Sequence, residues 1–84
     1  MKYHVKVLTY LKDGVLDTQG KAVARSLTGA GHTSLLNCRV GKYIQLWIEA
    51  DSSESAYREA ERMCDEVLVN ELIEDFSIEV DERQ

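Results

Sequence analysis

From Tyr3 the chain alternates side chains. Tyr3, Val5, Val7, Thr9 and Leu11 fall on one side, and His4, Lys6, Leu8 and Tyr10 on the other. A period of two puts successive side chains on opposite faces of an extended backbone, so this stretch is a strand. Lys12-Asp13-Gly14 then reads as a turn. Asp17 is placed as an N-cap, and the helix after it carries Val23, Leu27 and Ala30 at core spacing, with Gly29-Ala30-Gly31 to close it. Alternation returns in Leu36, Cys38 and Val40, and again in Ile44, Leu46, Ile48 and Ala50. Gly41-Lys42 between these runs fits a tight hairpin with glycine at positive φ; one continuous bent strand is the competing reading. Asp51 and Glu54 form a capping-box-like pair opening a second helix, with Ala56, Ala60, Met63, Cys64, Val67 and Leu68 on one face. Glu54/Arg58 and Arg62/Glu66 are spaced to pair across a turn of that helix. Phe76, Ile78 and Val80 mark a last strand.

The order β-α-β-β-α-β predicts an α+β fold of the ferredoxin-like type: a four-stranded antiparallel sheet with two helices on one face. The other sheet face would carry Leu8, Tyr10, Tyr43 and Trp47 among Lys6, Gln45 and Glu49. It is too aromatic for a solvated surface and too polar for a core. Self-association, as a dimer or tetramer, is the expectation for it.

Eighty-four residues, 44% of them hydrophobic, describe one domain spanning 1–84. A domain this small buries only about 60% of the surface of its unfolded chain, which makes assembly a natural source of added stability. Cys38 and Cys64 fit neither a disulfide framework nor a zinc pattern and suit a cytoplasmic protein with reduced thiols. The opening Met1-Lys2-Tyr3-His4 leads into alternation rather than an apolar stretch of about 7–15 residues, so no secretory signal is expected. The longest apolar runs, such as Val67-Leu68-Val69, are far too short to span a membrane. A formal charge of −5 disfavours attraction to nucleic-acid phosphates.

Chemistry-bearing residues do not converge. His4, His32, Cys38 and Cys64 lie on four different elements without short-range ligand spacing, and neither cysteine has an evident base. Gly41 to Ile48 places two aromatics on a strand as RNA-recognition motifs do, but the glycine precedes the lysine and the net charge has the wrong sign. The C-terminal carboxylates Glu71, Glu74, Asp75, Glu79, Asp81 and Glu82 read as a solvated acidic region. Gly14 and Gly20 flank a helix N-terminus without a phosphate-binding glycine pattern. No catalytic centre and no metal site are expected.

Three segments carry a family resemblance. Leu11 to Val23, reading L-K-D-G-V-L-D-T-Q-G-K-A-V, resembles the PurS-family signature in which a lysine turn leads to V-L-D-P-Q-G and a helix. Cys38 to Ile44 is similar to that family's V-R-x-G-K-Y stretch. Met63 to Phe76 resembles its M-C-x-x-L-L-A-N-P-V-I-E-D-Y ending. The segments keep the family's order and span nearly the whole chain. Thr18 and Glu71 stand where prolines are usual, and Phe76 replaces a tyrosine, which removes one hydroxyl.

The resemblance implies a non-catalytic accessory subunit of phosphoribosylformylglycinamidine synthase, an ATP- and glutamine-dependent ligase complex of purine biosynthesis. The chain would bridge a PurQ glutaminase and a PurL synthetase and assist ammonia transfer, binding no cofactor, nucleic acid or membrane itself. The partner-facing surface is expected at loops holding the signature's polar residues and glycines: Asp17, Gln19, Gly20, Arg39, Gly41, Lys42, Asn70, Glu74 and Asp75. Leu8, Tyr10, Tyr43 and Trp47 are assigned to self-association. An ACT-type regulatory domain binding a small molecule is the alternative.

Overall fold

A computed structural model describes residues 1–83. Strand β1 (Lys2–Leu11) is central, flanked by β2 (Gly41–Glu49) and β3 (Glu74–Arg83), both antiparallel to it. Helix α1 (Thr18–Gly29) follows β1, and α2 (Ser53–Met63) follows β2 and continues as a π-helical turn, Cys64–Leu68. The architecture is α+β and ferredoxin-like, with the first run paired between the last two.

The inner face of β1 is the heart of the core. Tyr3, Val5, Val7 and Thr9 are buried there, beside Ile48 of β2 and under Ala56, Ala60 and Cys64 of the helical layer. Ala56 and Ala60, four residues apart, present only methyl groups, so α2 lies close over the strand. Val80, Ile78 and Phe76 of β3 pack against this cluster from the other side. Thr9 fits sterically, yet among the described residues its buried Oγ1 has no hydrogen-bond partner.

Local signals place the ends well. Val15 N–H donates to the Lys12 carbonyl at 3.1 Å, and Gly14 takes φ +87°, as a type II turn requires at its third place. Asp17 caps α1. At the other end Gly31 takes φ +102°, its N–H donates to Thr28 O at 3.1 Å, and His32 N–H donates to Leu27 O at 3.0 Å. These two bonds make a Schellman closure.

Other expectations are corrected. The sheet has three strands among the described residues, not four; no backbone group from Leu36 to Val40 pairs with another backbone group. Gly41 does not turn a hairpin, since Gly14 and Gly31 are the positive-φ glycines. It sits in β2 opposite Tyr10, and a Cβ there would come within 2.3 Å of the Thr9 carbonyl oxygen. Close approach of two backbones is what glycine supplies here.

The stripe Val23, Leu27 and Ala30, expected in the core, is exposed, and no residue from 12 to 40 belongs to the core or packs on its rim. Helix α2 is capped by Ser52, whose Oγ accepts from Ser55 N–H at 3.1 Å, rather than by Asp51. Arg58 does bond Glu54, but Arg62 reaches Glu59 at 3.2 Å instead of Glu66. The π turn, closed by Val69 N–H to Cys64 O at 3.0 Å, inserts an extra residue into the helical repeat. Val67 is thereby rotated out to 81% exposure, while Val69 is buried.

Three substitutions read this packing. Gly41→Ala should lower unfolding stability in urea by about 1–3 kcal/mol through backbone clash. Gly29→Ala, with open space around it, should be neutral or raise stability by up to about 1 kcal/mol. Thr9→Val, which removes the orphaned hydroxyl at equal shape, should hold or raise stability by up to about 1 kcal/mol in the same melts.

Candidate functional site

The signature residues gather at one end of the sheet, around the carboxylate of Asp17. Its Oδ1 accepts from Gly20 N–H at 2.7 Å and its Oδ2 from Val40 N–H at 2.9 Å. One side chain thus ties the start of α1 to the entry of β2. These two backbone donors, Gly20 first and Val40 second, hold the Asp17 carboxyl below its usual range, helped by nearby Arg39. Gly20 is buried in the corner; a Cβ there would lie 2.5 Å from Asp17 Oδ2 and 2.6 Å from the Cys38 carbonyl oxygen. Asp17, Gly20 and Gly41 therefore have structural duties that account for them without a partner.

A cleft of about 420 Å³ opens beside this corner, lined by Asp17, Gln19, Gly41, Lys42 and Glu74 among the expected residues. Tyr10 and Leu16 line it as well. Charged pairs frame the region: Lys12 Nζ to Asp75 at 2.9 Å, Lys42 Nζ to Glu74 at 3.7 Å, and Arg39 to Asp13 at 3.3 Å. Arg39 also donates to the Leu11 carbonyl. Asn70 is fixed from both sides, its N–H donating to Glu74 Oε1 at 2.9 Å and its Oδ1 accepting from Leu72 N–H at 3.2 Å.

Of the nine residues expected at a partner surface, five line the cleft, Gly20 and Arg39 bind its corner, and Asn70 and Asp75 join through Glu74 and Lys12. Sequence reasoning missed Lys12 and Leu16. Both lie in the signature run from Leu11 to Val23, which was the available signal.

On the outer sheet face Leu8 stands opposite Tyr43, with both half exposed, and Trp47 is 68% exposed. Trp47 stacks on the His4 ring at 5.0 Å between centroids, and His4 Nε2 lies 2.8 Å from Gln45 Oε1. Lys6 Nζ meets Asp81 at 3.3 Å, and that bond and charge push its pKa up. Tyr10 serves both places, flanking this face and lining the cleft.

Among the described residues no three His, Cys, Asp or Glu side chains converge as a metal site. Cys64 is buried, and burial raises its thiol pKa, which disfavours the nucleophilic thiolate. The chemistry this end of the sheet can offer is recognition, through fixed carboxylates and cations around a small cleft.

The Asp17 tie predicts a pH effect with a definite sign. Its folded pKa is depressed, so its contribution is complete above the unfolded value of about 4 and is lost as pH falls through the folded one. Asp17→Asn, which keeps one acceptor and loses the other, should melt about 5 °C below the parent at pH 7. That gap should narrow by pH 3; a gap independent of pH would refute the tie.

Comparison with known proteins shows the family. A family model described as "PurS: Phosphoribosylformylglycinamidine (FGAM) synthase" matches residues 4–82. The phosphoribosylformylglycinamidine synthase subunit PurS of Bacillus subtilis is 40% identical over 80 residues, covering 95% of this chain and 94% of the relative. PurS of Thermus thermophilus superposes with a TM-score of 0.89 at 32% identity, with both chains covered completely. A chain in the structure of PurLQS from Thermotoga maritima gives a TM-score of 0.88 at 26% identity, over 95% of this chain and 98% of that one. Sequence signature, fold and coverage lead to one statement: the chain belongs to the PurS family of phosphoribosylformylglycinamidine synthase subunits.

Proposed function

We propose that this chain, as a single PurS-like domain over residues 1–84, is a cytoplasmic, non-catalytic subunit of the synthase. In this reading it bridges a PurQ glutaminase and a PurL synthetase and helps ammonia pass between them. The observation that carries the reading is the gathering of the signature's polar residues around one cleft. The structure named PurLQS, whose matching chain is so similar in fold, supports the choice of partners. ATP and glutamine are substrates of the partners, and no cofactor is assigned to this chain. No helix of the described residues is long and apolar enough to cross a membrane.

Arg39 and Lys42 are the exposed cations at the cleft, and they face the partners in this proposal. The Arg39–Asp13 pair is exposed and worth little to stability, and the Lys42–Glu74 pair is long at 3.7 Å, with the largely buried Glu74 also held by Asn70 N–H. The Arg39→Ala/Lys42→Ala double variant should therefore keep its melting temperature within a few degrees and bind the partner subunits at least tenfold more weakly. Unchanged assembly would remove these residues from the interface. We further propose that the chain self-associates, with Leu8, Tyr10, Tyr43 and Trp47 on the outer sheet face contributing.

The function itself is tested by amidation of formylglycinamide ribonucleotide with PurL and PurQ, with and without this chain. Glutamine-dependent turnover should require the chain, while ammonia-dependent turnover should persist without it. Loss of neither activity on omission would overturn the bridging role. An ACT-type domain would instead gain thermal stability from an amino acid added alone.

A further inference from the structure

Charge is unevenly placed along this chain. Residues 12–42 hold five cations, Lys12, Lys21, Arg25, Arg39 and Lys42, against two carboxylates, Asp13 and Asp17. The rest of the chain holds five cations and thirteen carboxylates, and no Asp or Glu occurs from Thr18 to Ile48. Of the two carboxylates, Asp17 accepts from the N–H groups of Gly20 and Val40, and Asp13 pairs with Arg39. A basic stretch therefore stands out from an acidic body.

Within that stretch Lys21 and Arg25 are exposed, one turn apart on one side of α1. Among the described residues neither makes an ion pair. The cations of α2 differ, since Arg58 pairs with Glu54 and Arg62 with Glu59. Like charges one turn apart work against a helix, so folding does not account for Lys21 and Arg25.

Both stand on a groove. A hollow of about 450 Å³ is lined by Lys21, Arg25, Thr28, Leu35, Leu36 and Asn37. Lys21 and Asn37 also line a second hollow of about 270 Å³, together with Lys12 and Arg39. That second hollow shares Asp17 with the cleft at the signature corner, so the three adjoin in one track.

Charge and spacing select the occupant. A nucleic acid carries a phosphate at every nucleotide and would run onto the acidic body, in a molecule whose shorter extents are 29 and 15 Å. A compact phosphate needs cations that converge on it, but Lys12 and Arg39 are drawn aside to Asp75 and Asp13. Lys21 and Arg25 are left as two separate charges along a ridge, beside the apolar Leu35 and Leu36. Carboxylates spaced along a short protein segment, with an apolar side chain among them, match that pattern.

We propose that the Lys21–Arg25 side of α1 extends the partner-facing surface beyond the cleft and docks an acidic segment of a partner subunit. The inference rests on the bridging reading and supplies the chemistry of one contact within it.

The test titrates this chain into PurL and PurQ by calorimetry. Lys21→Gln/Arg25→Gln should keep the circular dichroism and melting temperature of wild type and bind the partner subunits about tenfold more weakly. Arg58→Gln/Arg62→Gln changes net charge equally on α2 and should stay within about twofold of wild type. A water-soluble carbodiimide, which joins a lysine amine to a carboxylate in contact with it, should link Lys21 to an Asp or Glu of a partner subunit in the assembled complex. Unchanged binding by the α1 variant, or an equal loss in the α2 variant, overturns the docking surface. Lys21 links found only within this chain or to a second copy of it overturn the surface as well. So does retention on single-stranded RNA that the α1 variant abolishes while partner binding persists. In each of those cases glutamine-dependent turnover that requires the chain keeps the bridging role standing. A wild type that binds neither subunit overturns both.

Discussion

The carboxylate of Asp17 is the point on which the arrangement of this chain depends. Among the described residues it is the only side chain that joins the end of α1 nearest the sheet to the entry of β2 by hydrogen bonds to backbone, at 2.7 and 2.9 Å. Without it the arm from Thr18 to Val40 would leave and rejoin the sheet with little to fix its direction. The adjoining glycines follow from this one contact. Gly20 lets the helix backbone come down onto the carboxylate, and Gly41 lets β2 approach β1 at Thr9. A corner built from backbone groups tolerates no added Cβ, and it leaves neighbouring side chains such as Gln19 and Lys42 available for recognition.

The core shows the same preference for close approach over bulk. Ala56 and Ala60 bring α2 onto β1, where Val5 and Val7 are fully buried. Such a core is thin, and it is built on one helix rather than two. The π turn at Cys64–Leu68 ends that helix by turning Val67 outward and Val69 inward, so the chain enters the Asn70–Glu74 loop in register for β3. Asn70 and Glu74 then lock the loop beside the cleft. Packing and site share these residues, which is why the acidic stretch near the C-terminus is ordered and not merely solvated.

Much of the site was legible because it lies in short signature runs. Asp17 was readable as a cap, and Arg39, Lys42, Glu74 and Asp75 as polar residues at the ends of elements. What could not be read was their convergence: Lys12 finds Asp75 sixty-three positions away. The role of Gly41 was misread for the same reason. Glycine between two alternating runs looks like a turn, and only the distance to the Thr9 carbonyl reveals a strand position that forbids a side chain.

The sequence by itself determined the elements, because hydrophobic periods of two and of about 3.6 are local properties that a strand or helix must satisfy wherever it sits. It also determined the family, through three ordered segments. The tertiary structure decided which apolar stripes are satisfied inside the chain. Val23 and Leu27 have the same spacing as Ala56 and Ala60, yet one pair is exposed and the other buried. The difference arises because Val40 and Gly41 are held extended by Asp17 and β1. A direction set by long-range hydrogen bonds leaves no trace in the local pattern of residues.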